Sequence, residues 1–310
     1  MFFRIDCAGL LAGVLGLPLF GPRDVLAHGF AGARFFPATI ATDDPFVADE
    51  LALPTIAFTK DAGGTKRATY AADFAKTITS NFALEFGATY VRLRPQGGPD
   101  VEGFDNFSLG AKYLLDVDAA RETIFSIGVD ADLGKTGASR IGAEDFTILT
   151  PTFFFGKGFG DLADPMSLLR PFAVTGSLGL GIATKARSTD GFGGFEEHPT
   201  TLQFGLAVEY SLPYLQSQVR NAGLAAPFDR IVPLVELSLE TPLNRGGGET
   251  TGSINPGILW AGQYVQLSAE AIIPWNWESG HTVGFLAQLH FYIDDVFPTT
   301  LGRPLWGGLS

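Results

Sequence analysis

Residues 124–133 read Ile124-Phe125-Ser126-Ile127-Gly128-Val129-Asp130-Ala131-Asp132-Leu133. The odd positions Phe125, Ile127, Val129, Ala131 and Leu133 are apolar, while Ser126, Gly128, Asp130 and Asp132 are small or charged. A strand sends successive side chains to opposite faces, so this segment presents one apolar and one polar face. Residues 264–273 repeat it, with Val265, Leu267, Ala269, Ala271 and Ile273 set against Gln266, Ser268 and Glu270. Such strands suit a wall that meets lipid on one side and a polar lumen on the other.

The pattern recurs along the chain. Strands are predicted near 51–60, 67–79, 82–94, 105–116, 122–133, 145–155, 169–183, 200–212, 231–241, 252–260, 263–274 and 282–294. That makes about twelve, and an antiparallel transmembrane β-barrel is the expected fold. Pro151, Pro233 and Pro256 fall inside three of these strands. Each removes a ladder hydrogen bond, which a bulge would absorb. Gly176, Gly179 and Gly181 are expected at inward positions, where they suit sheet curvature.

The start of the chain reads as an export leader, residues 1–27. Phe2, Phe3 and Arg4 form a short basic start. Cys7 to Phe20 is apolar but too short and too broken by Gly and Pro to span a bilayer. Val25-Leu26-Ala27 offers small residues for cleavage, leaving His28 as the new terminus. Removing 27 residues from 310 leaves 283, about 24 per strand. That spacing fits a tilted strand of ~9–11 residues plus a connection. The lone cysteine leaves with the leader, which excludes disulfides and thiol chemistry in the mature chain.

Composition agrees. Charged residues make up 17%, with 39 Gly and 27 Phe, and mean hydropathy is +0.20. Yet no apolar run long enough for a helix span follows the leader, so the hydrophobicity is hidden in alternation. A net charge of −12 argues against a nucleic-acid partner.

Residues 28–50 carry no long strand, with Pro37 and Pro45 breaking any run. They read as a plug, a periplasmic extension or an irregular lead-in. Residues 51–294 form the barrel and 295–310 a C-terminal periplasmic tail. The connections alternate between tight periplasmic turns (Ser80-Asn81, Asp116 to Arg121, Gly262-Gln263) and longer outer loops (Pro95 to Asp105, Gly134 to Asp145, Thr184 to Pro199). The connection Pro213 to Arg230 is long for its side, and Leu215 to Val219 reads as a short helix.

The inward-facing candidates are Glu85, Lys112, Asp130, Asp132, Gln203, Glu209, Glu236, Glu240, Gln266, Glu270, Gln288, His290 and Asp294. Phe86, Tyr113, Val129, Leu206, Val208, Leu237, Leu239, Leu267, Phe285 and Leu289 should face lipid. Tyr210, Trp260, Trp275, Trp277 and Tyr292 suit interfacial girdles. No HExxH, CxxC or paired-His spacing occurs, so no metal or cofactor is expected. His281, His290 and His198 are followed two residues on by Val283, Tyr292 and Thr200, none of which makes a Ser–His pair. No enzymatic activity is expected.

Two short segments carry a resemblance. One is Phe291-Tyr292-Ile293-Asp294-Asp295-Val296-Phe297-Pro298 with Leu301-Gly302-Arg303-Pro304-Leu305; the other is Phe35-Phe36-Pro37-Ala38-Thr39 with Asp43-Asp44-Pro45-Phe46. The chain resembles proteobacterial outer-membrane barrels related to the "MetA-pathway of phenol degradation" family. The resemblance implies a channel for small, often hydrophobic or aromatic compounds. It departs from typical barrels in that Asp295 to Ser310 follows the last strand, so the aromatic signal for the barrel-assembly machinery would be internal, at Phe291 or Ile293.

The function expected is therefore passage or binding of a small solute in the outer membrane of a Gram-negative bacterium. Carboxylates outnumber Lys and Arg among the inward candidates, which favours cationic or neutral solutes, while Phe192 and Phe195 offer a hydrophobic approach. The alternatives are a structural or adhesive barrel without transport, and a secreted soluble all-β binding protein.

Overall fold

The computed structural model describes residues 29–61, 63–189 and 194–306. The expected leader, His28 and Phe192 lie outside the described residues. Twelve antiparallel strands close into a barrel: β1 (Glu50–Lys60), β2 (Lys66–Thr79), β3 (Phe82–Arg94), β4 (Ser108–Asp118), β5 (Thr123–Asp132), β6 (Ile148–Gly158), β7 (Phe172–Ala183), β8 (Thr201–Tyr210), β9 (Ile231–Pro242), β10 (Thr251–Ala261), β11 (Val265–Pro274) and β12 (Gly284–Tyr292). Each strand pairs with the next, and β12 returns to pair with β1, Phe285 lying opposite Phe58. Closure leaves none of these twelve strands at an edge of the sheet. No helix among the described residues is long and apolar enough to cross a membrane; the crossing is by strands.

The alternation at 124–133 fixes the two faces of β5. Phe125, Ile127 and Val129 are exposed on the outer wall, whereas Ile124 and Ser126 are fully buried inside. Phe86, Tyr113, Val208, Leu267 and Phe285 are likewise exposed on the outside. The strands tilt, so a row of register partners climbs as it goes round the wall, but on neighbouring strands it sets inward residues side by side. Glu85 lies opposite Gly110, and Gly110 opposite Asp130.

Several sequence expectations are corrected. No bulge sits at the three prolines. The β6–β7 pairing skips from Thr152 to Leu149, leaving Pro151 in a gap. The β10–β11 pairing skips from Ile254 to Gly257, leaving Pro256 in another. Pro233 lies past Leu234, the last residue of β9 to pair with β8. A missing N–H costs little where no carbonyl waits for it. Gly176 shares its face with exposed Leu178, so it points outward, and a Cβ there would meet the Phe155 ring at 2.7 Å. The last strand stops at Tyr292, and Asp294 falls in a helical turn, Ile293–Val296. Tyr292 itself is no girdle residue: it is buried, and its hydroxyl donates to Gln266 Oε1 at 2.9 Å.

Both ends of the sheet's chain meet at one end of the barrel, called here the terminal end; the other is the distal end. The connection 211–230 at the terminal end folds as Leu212–Tyr214, Leu215–Val219 and Phe228–Arg230, three short helical pieces. After β12, Leu305 N–H donates to Thr77 O (3.2 Å) and Trp306 N–H to Ile78 O (2.7 Å), so the tail folds back against the end of β2.

Candidate functional site

Residues 29–49 run inside the barrel. They begin with a two-residue ribbon, Phe30–Ala31 paired with Arg34–Phe35. Gly32 at its tip has φ +63°, and a Cβ there would collide with the Ala119 carbonyl, so only glycine fits. Beyond the ribbon the segment has no ladder of its own, and its backbone groups are met by inward side chains of the wall.

Four anchors hold it. At the terminal end, Arg34 is fully buried: Nε donates to Glu122 Oε2 (3.1 Å), Nη1 to Pro171 O (3.0 Å) and Nη2 to Arg170 O. The guanidinium lies 3.7 Å from the Tyr214 ring centre, and Tyr214 OH donates to Glu122 Oε1 (2.7 Å). Burial and the neighbouring Glu122 carboxylate push the Tyr214 hydroxyl up to about 12, so it stays a donor. Further in, the Glu236 carboxylate accepts from Ile40 N (2.9 Å), Ala41 N (3.0 Å), Thr42 N (2.7 Å) and Thr42 Oγ1 (2.8 Å). Gln266 Nε2 donates to Ala38 O at 2.7 Å beside it. The third anchor is Lys112, whose Nζ donates to Asp43 Oδ1 (3.0 Å) and Asp44 O (3.2 Å) and pairs with Glu85 at 3.3 Å. Its ammonium sits 4.9 Å from the centre of the Phe154 ring. Finally, Asp49 accepts from Lys76 Nζ, Thr77 N and Thr77 Oγ1, each at 2.7 Å, and its carbonyl accepts from Ile293 N (2.8 Å).

Between the inner segment and β1–β5 and β12 lies a cavity of about 330 Å³. Its lining includes Asp43, Asp44, Glu50, Asp73, Glu85 and Asp130 around the single lysine Lys112, with Gln288 and His290 on β12. His290 Nε2 is 3.5 Å from Glu50 Oε2. Gly110 makes room for two of the carboxylates, because a Cβ there would stand 2.5 Å from Asp130 Oδ1 and 3.1 Å from Glu85. The cavity is therefore anionic, and its field favours positive charge.

Asp44 belongs to the inner segment. Burial, then the Glu50 carboxylate, push its acid up to about 7, against the pull of Lys112. The docked Asp44 thus keeps a proton that the free segment loses near 3.8. Docking is favoured below that window and weakens as pH rises from about 4 through about 7. Asp44→Asn, which keeps an oxygen for the Phe46 N–H, should flatten this dependence. Hydrogen exchange of residues 38–48 at pH 5 and pH 8 measures it; equal protection at both pH values in the unsubstituted chain would refute the assignment.

The thirteen inward candidates divide four ways. Glu85, Lys112, Asp130, Gln288 and His290 line the cavity. Glu236 and Gln266 hold the inner segment, with Glu209 and Glu270 buried in the same wall. Asp132, Gln203 and Glu240 stand at the distal mouth, where Gln203 Nε2 reaches Glu240 Oε2 at 3.4 Å. Asp294 faces no lumen wall, being in the turn after β12. Sequence reasoning missed Asp73, whose neighbours Ala71, Ala72 and Ala75 blur the alternation, and Glu122, which sits in a turn. It also missed Ser188, which the hairpin Arg187–Thr189 and Phe195–Glu197 brings to 2.9 Å from His198 Nε2. That imidazole packs on Phe146 at 4.1 Å, away from the cavity. Among the described residues no group of three or more His, Cys, Asp or Glu is arranged to hold a metal.

A closed twelve-stranded barrel with a lipid-compatible outer wall and a polar, occupied lumen defines the class: an outer-membrane β-barrel. Over 79% of this chain and 96% of its own, an outer membrane channel from Pseudomonas putida F1 superposes with a TM-score of 0.54 at 11% identity. The β domain of the Bordetella autotransporter BrkA (TM-score 0.44, 11% identity, 79% of this chain and 99% of its own) and the translocator domain of the autotransporter NalP from Neisseria meningitidis (0.42, 11%, 79% and 87%) align more loosely. No family model and no curated protein sequence matches the chain. At this identity the likeness to the channel is one of fold.

Proposed function

We propose that the protein is an outer-membrane channel for a small cationic or neutral solute, closed at rest by its own residues 29–49 and oriented with the terminal end in the periplasm. The observation that carries this reading is the cavity of about 330 Å³, reached between the inner segment and the wall and lined by six carboxylates around one lysine. A solute entering from the distal end meets Asp132, Gln203 and Glu240 first, then Asp130, Glu85 and Asp73. Its passage to the periplasm needs the inner segment to move aside. The protein's chemistry is selection, with no reaction step. The sequence resemblance adds small aromatic compounds to the solutes worth testing, an aromatic amine joining both properties.

Liposome swelling with charged, neutral and aromatic solutes of similar size tests the reading. Amines and neutral solutes should enter faster than carboxylates. In planar bilayers, Asp73→Asn with Asp130→Asn should lower the cation-to-anion permeability ratio at least roughly two-fold, since fixed charge in a narrow path sets local ion concentration. An unchanged ratio would remove both residues from the path.

A further inference from the structure

The outer wall of β1–β3 changes character over three rows of register partners. Lowest is Ile56–Tyr70–Tyr90, then Phe58–Ala68–Arg92, then Lys60–Lys66–Arg94 at the distal end. Exposed Phe58 and Tyr70 show that these rows face outward, and consecutive rows stand about 6–7 Å apart. Within that short rise the wall goes from aromatic to wholly cationic. Like charges directly opposite one another repel, so the top row is unfavourable without an anion between its members.

The rows also form a groove. Ala68, small between Phe58 and Arg92, leaves a hollow of about 440 Å³ that Thr282 and Val283 complete on the β12 side. Asp100 takes part of the charge, accepting from Arg92 Nη2 (2.8 Å) and Arg94 Nε (3.1 Å). Among the described residues, neither Lys60 nor Lys66 has a carboxylate partner. The chain carries only 21 Lys and Arg against 33 Asp and Glu, which makes such a concentration of cations on one stretch of wall a local feature.

We propose that this groove binds a phosphorylated glycolipid of the outer leaflet, with phosphate between Lys60, Lys66 and Arg94 and acyl chains along Phe58 and Tyr70. The occupant follows from the order of the rows: an amphiphile with a multiply anionic head and an apolar body meets cations above and aromatics below. Phosphate-bearing heads reward such basic clusters, by roughly five-fold in binding per cation near a membrane surface. The inference rests on the orientation proposed above, with the distal end outward.

The test refolds the full mature chain in phosphatidylcholine vesicles doped with bisphosphorylated lipid A, extracts it in detergent, and counts retained lipid by native mass spectrometry. Retention of lipid A over phosphatidylcholine is expected. Lys60→Gln/Lys66→Gln/Arg94→Gln should lower it by roughly ten-fold or more. Lys185→Gln, at the distal end of the opposite wall, should leave it unchanged. Arg94→Gln alone, with heat-modifiable gel migration, keeps the test valid if the triple variant misfolds. Equal retention by the variants, equal retention of dephosphorylated lipid A, or displacement by inorganic phosphate alone would each overturn the proposal. Amine passage through the lumen should be the same in all of them, so failure here leaves the channel reading separately testable.

Discussion

Deleting residues 29–47 is expected to raise single-channel conductance about ten-fold or more, because a twelve-stranded lumen lies between the filled barrels of about eight strands and the water-filled pores of about sixteen. The inner segment contributes Phe36, Thr39, Thr42, Asp44 and Phe46, all buried, to the barrel interior. The wall should survive its loss, since every strand pairs with two others and closure does not involve the segment. Glu236 and Lys112 would exchange their partners in the segment for water. Planar-bilayer recordings of the two forms decide the matter, with heat-modifiable migration to confirm that both are folded. Equal conductance in the two would mean that the path is closed elsewhere.

The second large effect is expected at Arg34. Its replacement by Ala leaves the Glu122 carboxylate buried with only the Tyr214 hydroxyl and the Gly160 N–H, 2.9 Å away. Breaking one side of a buried ion pair costs about 3–5 kcal/mol, so the undocked state of the segment should gain roughly 10²–10⁴-fold in population. Hydrogen exchange along residues 36–46 reads this directly. Arg34→Met combined with Glu122→Gln should recover much of the protection, because the stranded charge is then gone. If Arg34→Ala exchanged as slowly as the unsubstituted chain, the pair would not be what holds the segment at its terminal end.

The wall was far more legible in the sequence than its contents. A strand between lipid and water must alternate, and 124–133 declares this without help from any other segment. All twelve strands fall within a few residues of the expected spans, and even the helical pieces after β8 include the anticipated Leu215–Val219. The girdle reading failed at Tyr292 because a strand end permits either face, and Gln266 offered a partner inside. The inner segment was less readable for a physical reason. Its grip on Glu236 is made mostly by backbone N–H groups of Ile40, Ala41 and Thr42, which every residue but proline owns and no alternation marks. Its length and prolines left a plug, an extension and a lead-in equally open. Asp43 and Asp44 were visible only as part of that segment, since the partner that gives them meaning, Lys112, lies on β4.

The Asp49 anchor also has a meaning in time. Its carbonyl bonds Ile293 just beyond β12, while its carboxylate holds Lys76, which in turn reaches the Arg303 carbonyl of the tail. The Asp49–Lys76 pair ties the inner segment to β2 alone, but the Ile293 and Arg303 contacts exist only once the first and last strands have met. Barrel birth should therefore finish at this spot: when the seam zips, Ile293 and the Arg303 carbonyl reach Asp49 and Lys76, and the chain's end is stapled to its beginning.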